Sequence, residues 1–126
     1  MSSPHGAGSG ALMVALHPDW SPVEIKSALA SSAYNGTDIL KEDAATPADP
    51  HDKGSGRLWL ADAATVGLVW DETYDNFVAA DPELGGEPKT LNLSTMTSHA
   101  CVNDCSWTRT VKSVLSAEAT YTATFT

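Results

Sequence analysis

The residues of this chain that could do chemistry are few. Near its start, Ser2 and Ser3 set two hydroxyls beside His5, but a serine becomes a nucleophile only when a positioned base takes its proton. His17 and His51 stand alone in loop-like sequence, the pattern of solvated surface histidines. Later in the chain, Cys101 and Cys105 lie close together with His99 nearby. Three such residues could ligate zinc, yet a closed site needs four ligands and no convincing fourth is local. The other reading is an oxidised pair in an exported protein, which the polar, threonine-rich surroundings favour. The acidic stretch from Glu42 to Asp52, including Asp43 and Asp49, lacks the ordered ligand spacing of a calcium loop and reads as solvated. No metal site is expected. Asn35-Gly36-Thr37 and Asn92-Leu93-Ser94 fit the N-glycan acceptor pattern, which is frequent by chance and matters only in a eukaryotic protein.

The elements that must position these residues change character along the chain. From Pro4 to Leu16 small residues (Gly6, Gly8, Gly10) give way to the apolar run Ala11–Leu16, which predicts a buried helix. Each interior glycine costs such a helix about 1 kcal/mol relative to alanine. Close covering by a sheet or a second helix is the expected offset. Pro18 breaks the run, and a second helix follows: Ser21 as N-cap, Pro22 at the first helical position and Glu24 completing a capping box. Ile25, Ala28 and Leu29 share one face of it, and Asn35-Gly36 ends it near Ala33. Residues 37–53 read as an exposed loop. Arg57 to Leu60 reads as a short strand or turn feeding a short alanine-rich helix over Ala61 to Val66, with Gly67 as its C-cap. From residue 90 onward Thr90–Leu93, Trp107–Lys112 and the alternation ending Tyr121, Ala123, Phe125 predict three strands.

Composition narrows the function classes. A chain of 126 residues with 42% hydrophobic and 18% charged residues is globular rather than disordered. Sixteen acidic against seven basic residues give a net charge of −9, which repels a phosphate backbone, so nucleic acid is excluded as a partner. No apolar run approaches the roughly 20 residues that span a bilayer, so no membrane partner is expected.

Met1-Ser2-Ser3-Pro4-His5, then Ala7-Gly8 and Ala11-Leu12, resembles the serine motif of the subtilisin-like serine peptidases (subtilases), in which Gly-Thr-Ser precedes that methionine. Leu16-His17-Pro18-Asp19-Trp20-Ser21-Pro22 and Glu24 through Leu29 resemble the helix that follows in that family. Gly54-x-Gly56-Arg57, Ala63-Ala64 and Gly67-Leu68-Val69 resemble the close of its catalytic domain. Thr90-Leu91-Asn92-Leu93 and Cys101-x-x-x-Cys105-Ser106-Trp107-Thr108-Arg109-Thr110-Val111 look like the fibronectin-like β-sandwich of many secreted subtilases. Gly6 departs from the family's branched apolar residue.

The resemblance implies an α+β fragment: the C-terminal helices of an α/β peptidase domain (residues 1–70), a linker (71–89) and the start of a fibronectin III-like β-sandwich (90–126). It implies a secreted, extracellular serine endopeptidase as parent, cutting protein or peptide substrates through a Ser/His/Asp triad. The nucleophile would precede Met1, so no catalytic residue is expected here. Met1, Ser2, Ser3, Pro4 and His5 would flank the site, with His5 distinct from the triad base. The partner would be the remainder of the peptidase domain, and no cofactor is implied beyond structural calcium in the parent. A non-enzymatic secreted binding module derived from a protease is the rival expectation.

Overall fold

The computed structural model describes residues 2–98 and 100–124. Met1, His99 and Phe125 lie outside the described residues, and with them the zinc alternative and the end of the final alternation. Helix α1 spans Ser2–Leu16 and α2 spans Pro22–Ser31. Two single turns of helix follow, α3 at Pro50–Lys53 and α4 at Leu60–Ala63. Strand β1 (Leu68–Val69) comes next, then helix α5 (Tyr74–Ala79) and 3₁₀ turns at Pro82–Leu84 and Pro88–Thr90. Strand β2 (Lys112–Ser113) pairs antiparallel with β1, Leu68 opposite Ser113 and Val69 opposite Lys112.

Helix α2 forms as its sequence dictates. The Ser21 hydroxyl accepts from the Glu24 backbone N–H at 3.0 Å, and the Glu24 carboxylate accepts from the Ser21 N–H at 2.8 Å. Both bonds satisfy donors that a bare helix start would leave open. The helix stops at Ser31, where Ser32 returns its N–H and hydroxyl to the Ala28 carbonyl, slightly before the expected Ala33. The helix buries Ile25 and Ala28 against Met13 of α1, Ala63 of α4 and Val69 of β1. Trp20, Leu29, Leu60, Val66 and Val114 complete this core from its margin.

Several expectations are corrected. Helix α1 forms, but it is not buried: among its described residues only Met13 is inside, while Leu12, Val14 and Leu16 are each more than half exposed. Gly67 does not cap α4, which ends four residues earlier at Ala63. Its carbonyl instead accepts from the Val114 N–H (3.0 Å) and the Tyr121 hydroxyl (3.1 Å), and a Cβ at Gly67 would meet that tyrosine. The 37–53 segment is more ordered than a loop. Ile39 to Ala48 folds back on itself, Lys41 N–H to Thr46 carbonyl and Ala48 N–H to Ile39 carbonyl, both 2.8 Å. Asp49 then caps α3 with a second capping box. The segment expected as a linker also holds α5 and a 3₁₀ turn.

The three late strands are the largest difference. Thr90 closes a 3₁₀ turn, the Trp107–Lys112 segment enters a ladder only at its last residue, Lys112 opposite Val69, and the described part of the last alternation is irregular. β-propensity describes a fit to a pleated, half-buried surface, and among the described residues these segments find no second sheet to supply one. Side chains stitch them instead. Asn92 gives both amide hydrogens, to the carbonyls of Asp71 (3.0 Å) and Thr110 (2.8 Å), and accepts the Thr110 N–H at 2.8 Å. The Arg109 guanidinium reaches the carbonyls of Leu93 and Lys89.

Candidate functional site

The motif residues occupy the first turn of α1, where Ser2, Ser3, Pro4 and His5 are all exposed. A 15-residue helix gathers a partial positive charge at that end, with backbone N–H groups that lack intrahelical partners. Negative charge developing on an oxygen there is stabilised, which is what acyl transfer from a serine requires.

His17 is not the solvated side chain its sequence suggests: its ring stacks on Trp20 at 3.8 Å and 7°, and its Nε2 donates to the Ala64 carbonyl at 3.1 Å. That locks the break between α1 and α2 against α4. His51 is exposed in α3. The Ser21 hydroxyl donates to Asp71 at 2.5 Å while capping α2, so a carboxylate rather than an imidazole holds it. Among the described residues no cluster of three or more His, Cys, Asp or Glu could hold a metal. No helix there is long and apolar enough to cross a membrane.

Cys101 and Cys105 form a disulfide, with Cα atoms 5.8 Å apart. It sits beside a cavity of about 550 Å³ lined by Lys89, Ser98, Val102, Asp104 and Trp107.

Sequence reasoning missed the buried polar node that ties the two halves together. Glu24 is 2% exposed, yet its second carboxylate oxygen accepts from Lys112 Nζ at 2.6 Å, and that bond raises the lysine's pKa. Beneath it, Ser27 donates to the Glu24 carbonyl and accepts from the Trp70 N–H. Glu72 accepts from the backbone of Asn92 (2.6 Å) and Thr73 (2.8 Å) and from the Asn76 amide. Partial burial opposes ionisation of Glu72, but these donors outweigh it and hold the carboxyl below its ordinary range. Partners 20 and 88 residues apart leave no local signal.

This geometry is a 15-residue helix with an exposed first turn, held by a capped second helix. No family model matches the chain. Subtilisin-like protease SBT1.6 of Arabidopsis thaliana is 36% identical over 105 residues, covering 80% of this chain. SBT1.7 and SBT1.3 of the same plant are 37% and 43% identical over 62% and 56% of it. The matched stretches amount to 14%, 11% and 10% of those proteases. Most of this chain is therefore subtilase-derived sequence. A stretch covering 80% of it cannot avoid residues 71–89, so the likeness runs through the segment expected as a linker.

Proposed function

We propose that the chain serves as the nucleophile-mounting end of the peptidase domain in a secreted subtilisin-like serine endopeptidase, and that hydrolysis belongs to the longer protein. In that protein a serine ahead of Met1 attacks the scissile carbonyl, with histidine and aspartate from elsewhere as base and orienter. Ser2, Ser3, Pro4 and His5 flank the reaction without entering it. Protein substrates follow from the same reading, as does structural calcium outside this chain.

The observation that carries this reading is the bareness of α1. A Cβ added at Gly6, Gly8 or Gly10 would meet nothing within 4 Å outside the helix backbone, and Leu12, Val14 and Leu16 are 59%, 53% and 55% exposed. A glycine-rich helix that is apolar on most sides is costly in water and suits a domain interior. The remainder of the peptidase domain is the partner that would cover it. In the same reading residues 1–70 close that domain, 71–89 link, and 90–126 complete a fibronectin-like sandwich when further strands supply a second sheet. The Cys101–Cys105 disulfide supports an oxidising, extracellular setting.

The test is the DNA upstream of the Met1 codon, paired with a fluorophosphonate probe of serine hydrolases. In-frame codons for Gly-Thr-Ser, a labelled extended protein and an unlabelled 126-residue chain are expected. A stop codon directly upstream, or a chain that reacts alone, would overturn the proposal. The stop codon would favour the binding-module reading.

A further inference from the structure

The two Asn-x-Ser/Thr triplets are treated oppositely by the fold. Asn35 follows α2 in an exposed irregular segment that turns at Thr37, and no hydrogen bond among the described residues engages its carboxamide or the Thr37 hydroxyl, both on exposed residues. The backbone on one side is pinned: Tyr34 and Arg57 exchange N–H to carbonyl bonds of 2.8 and 2.9 Å. On the other, the Tyr34 hydroxyl donates to Asp38 at 2.7 Å, closing over Gly36, where a Cβ would strike both side chains. The middle position of the triplet is thus enclosed while its two chemical positions face solvent on a fixed turn.

Asn92 is half-buried, and its carboxamide makes the three bonds to Asp71 and Thr110 described above. Its own N–H is held by Glu72. Both hydrogens on Nδ2 are in use, so replacing one with a sugar breaks a stitch that joins three segments.

We propose that Asn35 is an N-linked glycan acceptor and that Asn92 remains unmodified in the folded chain. The inference rests on the export reading given above. The co-reactant is an oligosaccharide carried on a polyprenyl pyrophosphate in the secretory pathway. Asn35 Nδ2 forms an N-glycosidic bond to the anomeric carbon as the bond from that carbon to the pyrophosphate oxygen breaks. The pyrophosphate leaves with the electron pair, and one amide proton passes to a base of the transferase. Threonine at the third position favours Asn35 further, since its hydroxyl is unengaged by the fold.

The test is to express the full chain behind a cleavable secretory leader in plant cells, and to map glycopeptides from the soluble, disulfide-bonded fraction. Expected are glycan at Asn35, none at Asn92, and a single gel shift that both Asn35→Gln and Thr37→Ala abolish. An unmodified Asn35, or glycan at Asn92 in that fraction, would overturn the proposal. Because the mapping is made on the unmutated chain, a variant that fails to fold does not obscure it. The leader guarantees entry to the pathway, so failure at Asn35 refutes the site alone. The export reading is judged separately, by where the full-length native protein is found.

Discussion

Replacing Gly6, Gly8 and Gly10 with alanine should act in opposite directions in the chain alone and in a complete protease. In the chain alone, an added Cβ at each position meets nothing within 4 Å, and none of the three glycines has a positive φ. Alanine then lowers only the conformational entropy of the unfolded state and improves helix propensity, by about 1 kcal/mol per site. Each substitution therefore shifts the helix–coil balance of α1 about fivefold, and the three together contribute about 3 kcal/mol if they add. Hydrogen exchange is the direct assay, because it reads the amides of α1 and α2 separately. Those of α1 should become more protected while those of α2 change little. In an extended protease whose sheet or helices lie against α1, the same methyl groups have no room, and overpacking costs about 1 to 3 kcal/mol. There the triple variant should lose thermal stability and, with the nucleophile displaced, turnover. Stabilisation in both settings would refute the covered-helix reading. Destabilisation of the chain alone would refute the bare α1.

Met13→Ala should cost about 2 to 5 kcal/mol in urea unfolding, because it deletes the one residue of α1 that is buried, whereas Val14→Ala should stay within about 0.5 kcal/mol. Equal effects would contradict the packing. Ser21→Ala should cost about 1 kcal/mol by removing the cap of α2, read as faster amide exchange in its first turn. Asp43 is held at about 2 by the Thr46 hydroxyl and the N–H groups of Thr46 and Ala45. Asp49 is held at about 2 by Lys41 and the N–H groups of Asp52 and His51. Both folded values lie below the ordinary 3.8, so their contribution is fully present above that pH and is lost as pH falls toward about 2. An NMR acid titration of residues 39–53 should show that fold-back loosening in this window, and titration of both groups near 3.8 would count against it.

How much was legible depended on where the cause of each feature lay. Helix α2 was readable almost whole because Ser21, Pro22 and Glu24 fix its start within four residues. The Cys101–Cys105 bond was readable for the same reason of nearness. Gly67 misled because an isolated glycine after a helix reads as a cap, while its actual task is to admit Tyr121 and Leu115, set by residues about fifty positions away. His17 misled similarly, since nothing beside it in sequence announces the Ala64 carbonyl. Of the late strands only the end of one, at Lys112, finds a partner, in β1. The serine motif was legible through its resemblance to that of the subtilases, whereas the Glu24–Lys112 and Glu72–Asn92 joints needed coordinates.

The Glu24–Lys112 joint also bears on the order of events as the chain is made. Synthesis runs from the N-terminus, so α1 and α2 emerge and cap themselves early, with Glu24 still lacking the partner that arrives 88 residues later. Until then the carboxylate has water in place of the ammonium, and β1 lacks the strand that pairs with it. Contacts so distant in sequence close slowly. The newborn chain therefore passes through an interval in which an apolar helix and an open strand edge are both uncovered, the period when chaperone binding would matter most.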